Sequence, residues 1–193
     1  MLNDRSSLLG FLKSRKSASA KALTAPGPGA AQTAEMLEIA LRVPDHGKLC
    51  PWRLILFEGP ARAGIGAHFA ARWRDLHPEH AADAVAFQRA LFERAPLVIA
   101  VVSRAAPHAK IPEWEQQMSA AAVCFNLELA AMALGFDCQW QTDWVAYDPV
   151  CAAAMGLRPP ERIAGLIYIG TSSVPLEDRP RPAAADLVTR WVA

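Results

Sequence analysis

The chain has 193 residues, of which 52% are hydrophobic and 20% are charged, and its formal net charge is +1. This length is enough for one domain with a substantial core, and we expect a single domain over residues 1–193. The near-neutral charge gives no electrostatic reason to expect a nucleic acid or an anionic membrane surface as a partner. No apolar stretch approaches the roughly 20 residues that a membrane-spanning helix needs.

The cysteines are scattered along the chain, without a Cys-x-x-Cys pair or a histidine at ligand spacing. A disulfide framework or a zinc site therefore has no support, because both need defined spacings. The short apolar run at residues 8–12 is too interrupted for the core of a signal peptide. We expect a cytoplasmic protein with reduced thiols and no metal site. The cysteines are Cys50, Cys124, Cys138 and Cys151.

Breaker residues and apolar periodicity predict the helices. Thr33 can cap the second helix, which must end before Pro44 because a residue that precedes proline is pushed out of the α region. Gly135 suits the left-handed position after a helix, and Asp148 followed by Pro149 is a strong helix start. The predicted helices span residues 7–13, 33–42, 61–76, 82–94, 112–134 and 149–156.

Continuous apolar stretches predict the strands. The β-branched run at residues 96–102 predicts a central strand that is buried on both faces. Two further strands are expected at residues 54–57 and 163–170, and the mixed stretch 138–142 fits a strand that opens into a loop. Strands between helices indicate an α/β or α+β fold. Residues 172–185 are rich in proline, so we expect an extended C-terminal arm, with residues 186–192 closing as one helical turn.

The longest predicted helix carries two apolar stripes at a spacing of three to four residues. A helix that is apolar on more than one side is buried, so we expect this helix to lie inside the protein. Its many alanines permit the close approach of another helix. The first stripe is Trp114, Met118, Ala122, Phe125, Leu129 and Met132, and the second is Val123, Leu127, Ala130 and Leu134.

Several titratable side chains fall on polar helical stretches. We interpret His68, His77 and His80 as part of a solvated face, because we find no carboxylate or cysteine that frames them as metal ligands. Glu113 and Glu115 face different sides of a helix, and we interpret them as solvent-exposed charges.

Two stretches have the residue types that bind anions. One is the basic turn Arg15-Lys16-Ser17, where an arginine fork and a hydroxyl group suit a phosphate. The other is the connection from Arg42 to Trp52, which brings His46 and Lys48 together between a helix and a buried strand. A solvated helix end and an ordinary solvated loop are the alternative interpretations. The sequence has no Gly-x-Ser-x-Gly elbow and no glycine-rich phosphate loop.

The order of these motifs resembles the nitroreductase family of flavoproteins, and within it a small single-domain branch. The resemblance extends from about residue 9 to the proline-rich tail. It rests on Arg15-Lys16-Ser17, on Arg42-Val43-Pro44-Asp45-His46 followed by Pro51-Trp52, and on residues 112–120, 135–142 and 168–171.

This resemblance implies a nitroreductase fold, with a central sheet flanked by helices, and a homodimer that binds two FMN molecules at its interface. It implies that Arg15, Lys16 and Ser17 hold the phosphate and ribityl side of FMN, and that Arg42 and His46 contact FMN from the same subunit. The partner subunit is implied to supply Trp140, Gln141 and Thr142.

One implied contact departs from the family pattern, and another conflicts with the apolar pattern of the chain itself. Gln141 stands where relatives of this branch have an arginine, and Lys48, Arg179 and Arg181 are candidates to replace that charge. Residues 130–135 match a stretch that contacts the nicotinamide in relatives, although their own apolar pattern predicts a core helix.

The function implied by the resemblance is that of an FMN-dependent NAD(P)H oxidoreductase. NADH or NADPH would pass a hydride to FMN, and an electron-poor acceptor such as a nitroaromatic or a quinone would then be reduced. We assign no catalytic acid, because water can protonate the product, while His46 or Lys48 could stabilise negative charge on the reduced flavin. The alternatives are a non-enzymatic protein that stores or senses flavin on this fold, and a structural dimer without flavin.

Overall fold

The computed structural model describes residues 1–192. The part of the chain that it describes has six α-helices and five β-strands, which confirms the predicted combination of a sheet with flanking helices. The helices are α1 (Leu8–Ser14), α2 (Ala30–Ala40), α3 (Pro60–Leu76), α4 (Ala82–Arg89), α5 (Glu113–Ala133) and α6 (Pro149–Ala154). The strands are β1 (Leu23–Thr24), β2 (Trp52–Glu58), β3 (Leu97–Ser103), β4 (Asp137–Gln141) and β5 (Arg162–Ser172).

All strand pairs of the sheet are antiparallel, and β3 and β5 form its centre. The order is β1-β5-β3-β2, with β4 also paired to β5. Every residue of β3 is buried, as the continuous β-branched run predicts. The short mixed stretch before Thr142 is confirmed as a strand, whereas β1 was not predicted.

The two faces of the sheet carry separate hydrophobic clusters. On one face, Phe92 lies with its ring centroid 5.0 Å from those of both Phe57 and Phe69 in edge-to-face contacts. On the other face, α5 and α2 cover the sheet through side chains such as Met36 and Leu127, which are fully buried. The second face is the one on which the candidate site is built.

Helix α5 is buried on one side only. Its second stripe, which includes Val123 and Leu127, packs on the sheet, but Trp114, Met118 and Phe125 of the first stripe are 68%, 53% and 42% exposed. The prediction that α5 is covered on all sides is therefore wrong for a single chain, because the sheet and α2 cover only one side of it. An exposed apolar stripe of this kind is typical of an interaction surface.

Three local predictions also differ from the structure. Helix α2 begins at Ala30 rather than near Thr33, because the Gln32 side chain accepts a hydrogen bond from the Gly29 amide (3.0 Å) and Thr33 is buried inside the helix. The predicted helix over 82–94 ends at Arg89 and continues as a separate 3₁₀ turn. In the described part of the tail, a 3₁₀ turn lies at Ala184–Asp186, earlier than the helical turn predicted for residues 186–192.

Strand β2 is fixed to the start of β5 by a two-pronged ion pair. The Arg53 guanidinium donates from Nε to Glu161 Oε1 (2.7 Å) and from Nη2 to Glu161 Oε2 (2.8 Å). These hydrogen bonds from Arg53 hold the pKa of Glu161 at about 2, below its ordinary value of 4.5.

This pair predicts a pH dependence of stability. Because the pKa of Glu161 is lower in the folded state than in the unfolded one, its stabilising contribution is complete above pH 4.5 and is lost as the pH falls towards 2. We expect Glu161→Gln to flatten the slope of the free energy of unfolding between pH 4.5 and 2, measured by urea denaturation. Glu79→Gln, which removes an exposed carboxylate elsewhere, should retain the slope of the original chain; equal slopes for all three proteins would contradict the prediction.

Candidate functional site

The loop between α2 and β2 is held in shape by its own side chains. The Asp45 carboxylate accepts hydrogen bonds from the amides of Leu49 (3.1 Å) and Cys50 (2.9 Å). Gly47 adopts a φ of +72° beside the Ile111 side chain, so a larger residue would be strained and would collide with Ile111. The Pro-Asp-His sequence is therefore part of an ordered turn.

Side chains of helix α5 contact this loop and hold it in place. The Ser119 hydroxyl donates to the carbonyl oxygen of Pro44 (2.7 Å) and accepts from the indole Nε1 of Trp52 (3.0 Å). One turn earlier on the helix, Glu115 Oε2 lies 2.7 Å from His46 Nδ1. Glu115 is thus a partner of His46, and its interpretation as a solvent charge was wrong. Because the pair is exposed, it contributes little to the stability of the fold, and its effect is to position the His46 ring.

Two further cations, Arg42 and Lys48, lie in the same connection as His46. Arg42 lies exposed just after α2, and its carbonyl oxygen receives a long hydrogen bond from Asn126 Nδ2 (3.5 Å). Lys48 is exposed and adopts a φ of +55°, in the same turn as Gly47. Neither side chain has a carboxylate partner among the described residues.

The basic turn after α1 is a connected set of polar groups. Arg15 Nη2 donates to Ser17 Oγ (3.0 Å), and that hydroxyl donates to Glu128 Oε1 (3.0 Å) on α5. Lys16 Nζ donates to the Ser17 carbonyl oxygen (3.0 Å). The Arg15 guanidinium also lies 5.4 Å from the centre of the Phe125 ring. Within residues 1–192, Arg15 Nε is buried and has no hydrogen-bond partner.

Strand β4 lies against the same turn in the same chain. The Trp140 amide donates to Glu128 Oε1 (3.2 Å), the carboxylate oxygen that also receives Ser17, and the Ala18 amide donates to the carbonyl oxygen of Cys138 (2.9 Å). Gln141 Nε2 donates to Gln139 Oε1 (2.8 Å), so its amide is held along the strand.

Thr142 belongs to the following loop, where its hydroxyl accepts from Tyr147 (3.1 Å). Residues 130–132, in the stretch that the resemblance matched to nicotinamide contacts, are buried in the core, as their apolar pattern predicts.

The eight candidate residues therefore fall into two groups within one chain. Arg15, Ser17 and Trp140 converge on Glu128, whereas His46 is bound to Glu115. These two glutamates are nearly four helical turns apart on α5, which is roughly 20 Å. The expected division placed His46 and the basic turn in one subunit and Trp140 in its partner; within a single chain, it is Trp140 that lies beside the basic turn.

Sequence analysis missed Glu128, which is only 4% exposed. Burial raises the pKa of this carboxyl group, while the hydrogen bond from Ser17, the charge of Arg15 and the Trp140 amide lower it. A charged residue between Leu127 and Leu129 in an apolar helix was the available signal, because buried carboxyl groups need partners.

The histidine interpretation also needs correction. His77, Glu79 and His80 place one potential ligand atom each within 4.8 Å of one another, so a carboxylate does frame these histidines. However, the Trp73 indole donates to His80 Nδ1 (3.2 Å), whereas a metal-bound histidine normally donates its other ring nitrogen. The cluster is therefore better described as a stacked, hydrogen-bonded surface group, with the two imidazole centres 4.6 Å apart.

A wide cavity of about 970 Å³ opens beside the first half of α5. Its walls include Trp114 and Met118 of the exposed stripe, Tyr147, and the Arg158–Ile163 segment. A molecule packed along the exposed face of α5 would narrow this opening. No helix in residues 1–192 has the length and apolar character to cross a membrane.

Comparisons with known proteins agree with this architecture. The nitroreductase family profile matches residues 12–171. A protein of Haemophilus influenzae that carries the provisional name NAD(P)H nitroreductase is 39% identical over 166 residues, covering 84% of this chain and 87% of that protein. The provisionally named NAD(P)H nitroreductase YdjA of Escherichia coli K12 is 34% identical over 168 residues, with the same coverage.

Solved structures show the same fold. A nitroreductase-like protein from Bacillus cereus superimposes with a TM-score of 0.80 at 21% identity over 96% of both chains. A nitroreductase with bound FMN from Bacteroides fragilis gives 0.68 at 18% identity, covering 94% of this chain and 98% of that one. The chain belongs to the nitroreductase family, and it is an oxidoreductase of that family.

Proposed function

We propose that the protein is an FMN-dependent NAD(P)H oxidoreductase that reduces an electron-poor small molecule such as a nitroaromatic or a quinone. The observation that carries this proposal is the basic turn, where the buried Arg15 Nε, the Lys16 ammonium and the Ser17 hydroxyl lie together. The names of the two bacterial relatives supply the nicotinamide co-substrate, NADH or NADPH.

The chemistry of these donors fits the phosphate of FMN. Burial of the Arg15 Nε–H group costs free energy unless it donates a hydrogen bond to an acceptor, and a phosphate oxygen is a strong acceptor. The tail that carries Arg179 and Arg181 lies near Lys16. The pKa of Asp178 is lowered by a hydrogen bond from the Arg179 backbone amide, then by the hydrogen bond and charge of Arg181, and finally by the charge of Lys16. Arg179 and Arg181 are thus the candidates to replace the cation that Gln141 does not provide.

We infer that the complete site needs two chains. The exposed stripe of α5 has the small residues Ala121 and Ala122 at its middle, where a second helix can approach closely. If two α5 helices pair antiparallel there, the end that holds His46 in one chain comes beside the end that holds Ser17 in the other. Arg42 and His46 would then approach FMN from the partner of the subunit that supplies Arg15, Lys16, Ser17, Trp140, Gln141 and Thr142.

When bound, FMN would supply the hydride-transfer chemistry, and the protein residues would bind and orient it. The basic turn would hold its phosphate, and the hydrogen bond from the Trp140 backbone amide to Glu128 would keep Trp140 beside that turn. The Glu115 carboxylate accepts from His46 Nδ1, so Nε2 is the ring nitrogen from which a protonated imidazole would donate to a ligand. Such a donor would stabilise negative charge that develops in the site.

The proposal is tested by the visible absorption spectrum of the purified protein after addition of FMN and dialysis. We expect retained flavin bands, which NADH or NADPH should bleach and a quinone or a nitroaromatic should restore. The absence of bands even after FMN addition would overturn the proposal. Retained bands with no bleaching by either nicotinamide would favour the alternative of a flavin-storage or sensing protein, which the amide at Gln141 keeps as the second candidate.

The two-chain site predicts that the exposed stripe of α5 controls assembly. We expect Met118→Asp, which places a charge in the exposed part of this stripe, to convert a dimer into a monomer at micromolar concentration and to lose FMN at the same time. Analytical ultracentrifugation measures the first effect and dialysis the second. Leu76→Asp is the matched control, because Leu76 is an exposed apolar residue at the end of α3. A monomeric original chain that retains FMN would contradict the prediction.

A further inference from the structure

A buried carboxyl group lies directly beneath the proposed phosphate site. Glu128 Oε1 receives the Ser17 hydroxyl at 3.0 Å and the Trp140 amide at 3.2 Å, and the side chain is 4% exposed. An anion-binding turn that rests on a buried acid is unusual, because two negative charges in a poorly solvated site repel each other.

The Ser17 hydroxyl has only one hydrogen atom, for which Glu128 and a bound phosphate would compete. A hydroxyl group has one hydrogen, and in this structure it is directed to Glu128 while the oxygen accepts from Arg15. Ser17 cannot donate to a phosphate in this arrangement. If Glu128 takes up a proton, it can donate to Ser17 Oγ in return, and the Ser17 hydrogen is then free to turn towards the phosphate.

The other charged or titratable groups around Glu128 are few. Arg15 and Lys16 of the basic turn are cations, and Asp137 of β4 is a carboxylate that accepts from the Ser172 amide (2.9 Å). Cys138 of β4 and Cys124 of α5 remain thiols, because burial and the nearby Glu128 raise the pKa of both. Of the two carboxyl groups, Glu128 is the one that contacts the basic turn directly, through the Ser17 hydroxyl.

We propose that binding of the FMN phosphate at Arg15–Ser17 is coupled to the uptake of one proton by Glu128. The proposal rests on the proposed FMN site. The proton comes from solvent, no covalent bond to the ligand is made or broken, and the Trp140 amide can still donate to Oε1 of the protonated acid. Affinity for FMN should then fall by up to about tenfold for each pH unit above the pKa that Glu128 has in the free protein.

Glu128→Gln provides a matched variant. It removes the group that would take up the proton and keeps nearly the same shape. Because Ser17 Oγ and the Trp140 amide both contact Oε1, the amide oxygen of the variant at that position can accept both hydrogen bonds. We expect the variant to bind FMN as tightly at pH 9 as at pH 7.5, whereas the original chain should bind progressively more weakly over this range.

Proton uptake is measured directly by isothermal titration of FMN into the apoprotein at pH 8, in two buffers of different ionisation enthalpy. At this pH the FMN phosphate is already a dianion, because its second pKa is about 6. We expect an uptake of up to one proton in the original chain and of none in Glu128→Gln. Riboflavin, which lacks the phosphate, should bind without uptake to both proteins.

The outcomes separate the two proposals. No binding of FMN by the original chain would overturn the flavin site and the coupling together. Binding without proton uptake and with equal pH dependence in both proteins would overturn the coupling alone. Uptake that persists in Glu128→Gln would assign the proton to another group such as Asp137, which also overturns it. If the variant does not fold, the comparison of FMN with riboflavin on the original chain decides.

Discussion

Replacing Arg15 with Ala is expected to weaken FMN binding by roughly 10- to 100-fold, because a hydrogen bond to a charged group contributes about 1.5–3 kcal/mol. The variant removes the fork that joins Ser17 to the proposed phosphate position. Arg15→Lys should give a smaller loss, since lysine retains the charge but cannot donate from two nitrogens at once. Quenching of FMN fluorescence on titration with the apoprotein measures these affinities.

The control for this prediction is Lys13→Ala. Lys13 lies two residues earlier, in the last turn of α1, and its removal changes the net charge by the same amount. We expect its affinity for FMN to stay within about twofold of the original, because a single exposed charge acts weakly through solvent. Equal losses for Lys13→Ala and Arg15→Ala would mean that general positive charge, rather than the structured turn, attracts the flavin.

The largest expected effect on stability is at Gly66, in the middle of α3. A Cβ atom at this position would collide with the backbone carbonyl oxygen of Arg89, at the end of α4. Because a backbone group cannot move aside as a flexible side chain does, we expect Gly66→Ala to lower the free energy of unfolding by roughly 3 kcal/mol, at the upper end of the cost of overpacking.

Gly64→Ala is the matched control on the same helix. Apart from the adjacent backbone of α3 itself, no described atom lies within 4 Å of the Cβ position at Gly64. Alanine therefore gains helix propensity there without a collision, and we expect a stabilisation of about 0.5–1 kcal/mol. Urea denaturation of both variants measures the difference. A stable Gly66→Ala protein would mean that α3 and α4 can separate without cost.

The sequence predicted those parts of the fold that local chemistry determines. The continuous β-branched run predicted β3 as a buried strand, Gly135 ends α5 with a φ of +94°, and Asp148 caps α6 through the amides of Val150 and Cys151. Strand β1 was missed because two residues carry no periodicity. The start of α2 was misplaced because the Gln32 side chain, rather than Thr33, accepts the hydrogen bond from a backbone amide at the helix start.

The candidate site shows where sequence reasoning ends. The motif residues could be named, but the residue that joins them, Glu128, is 111 positions away from Ser17 in the chain, and no local pattern encodes such a contact. The grouping of Trp140 with the basic turn likewise depends on the way β4 follows α5. Sequence patterns predicted the types of residue, whereas the distances between them needed the folded chain.

Helix α5 also limits where insertions and deletions can occur in this protein. Glu115 and Ser119 hold one group of site residues and Glu128 holds the other, so the angle between the two groups is fixed by the number of residues between them. One inserted residue would rotate the far group by about 100° and move it by about 1.5 Å, leaving each group intact but out of phase with the other. The loops at either end can therefore vary in length during evolution. The segment from 115 to 128 can change its side chains but not its number of residues.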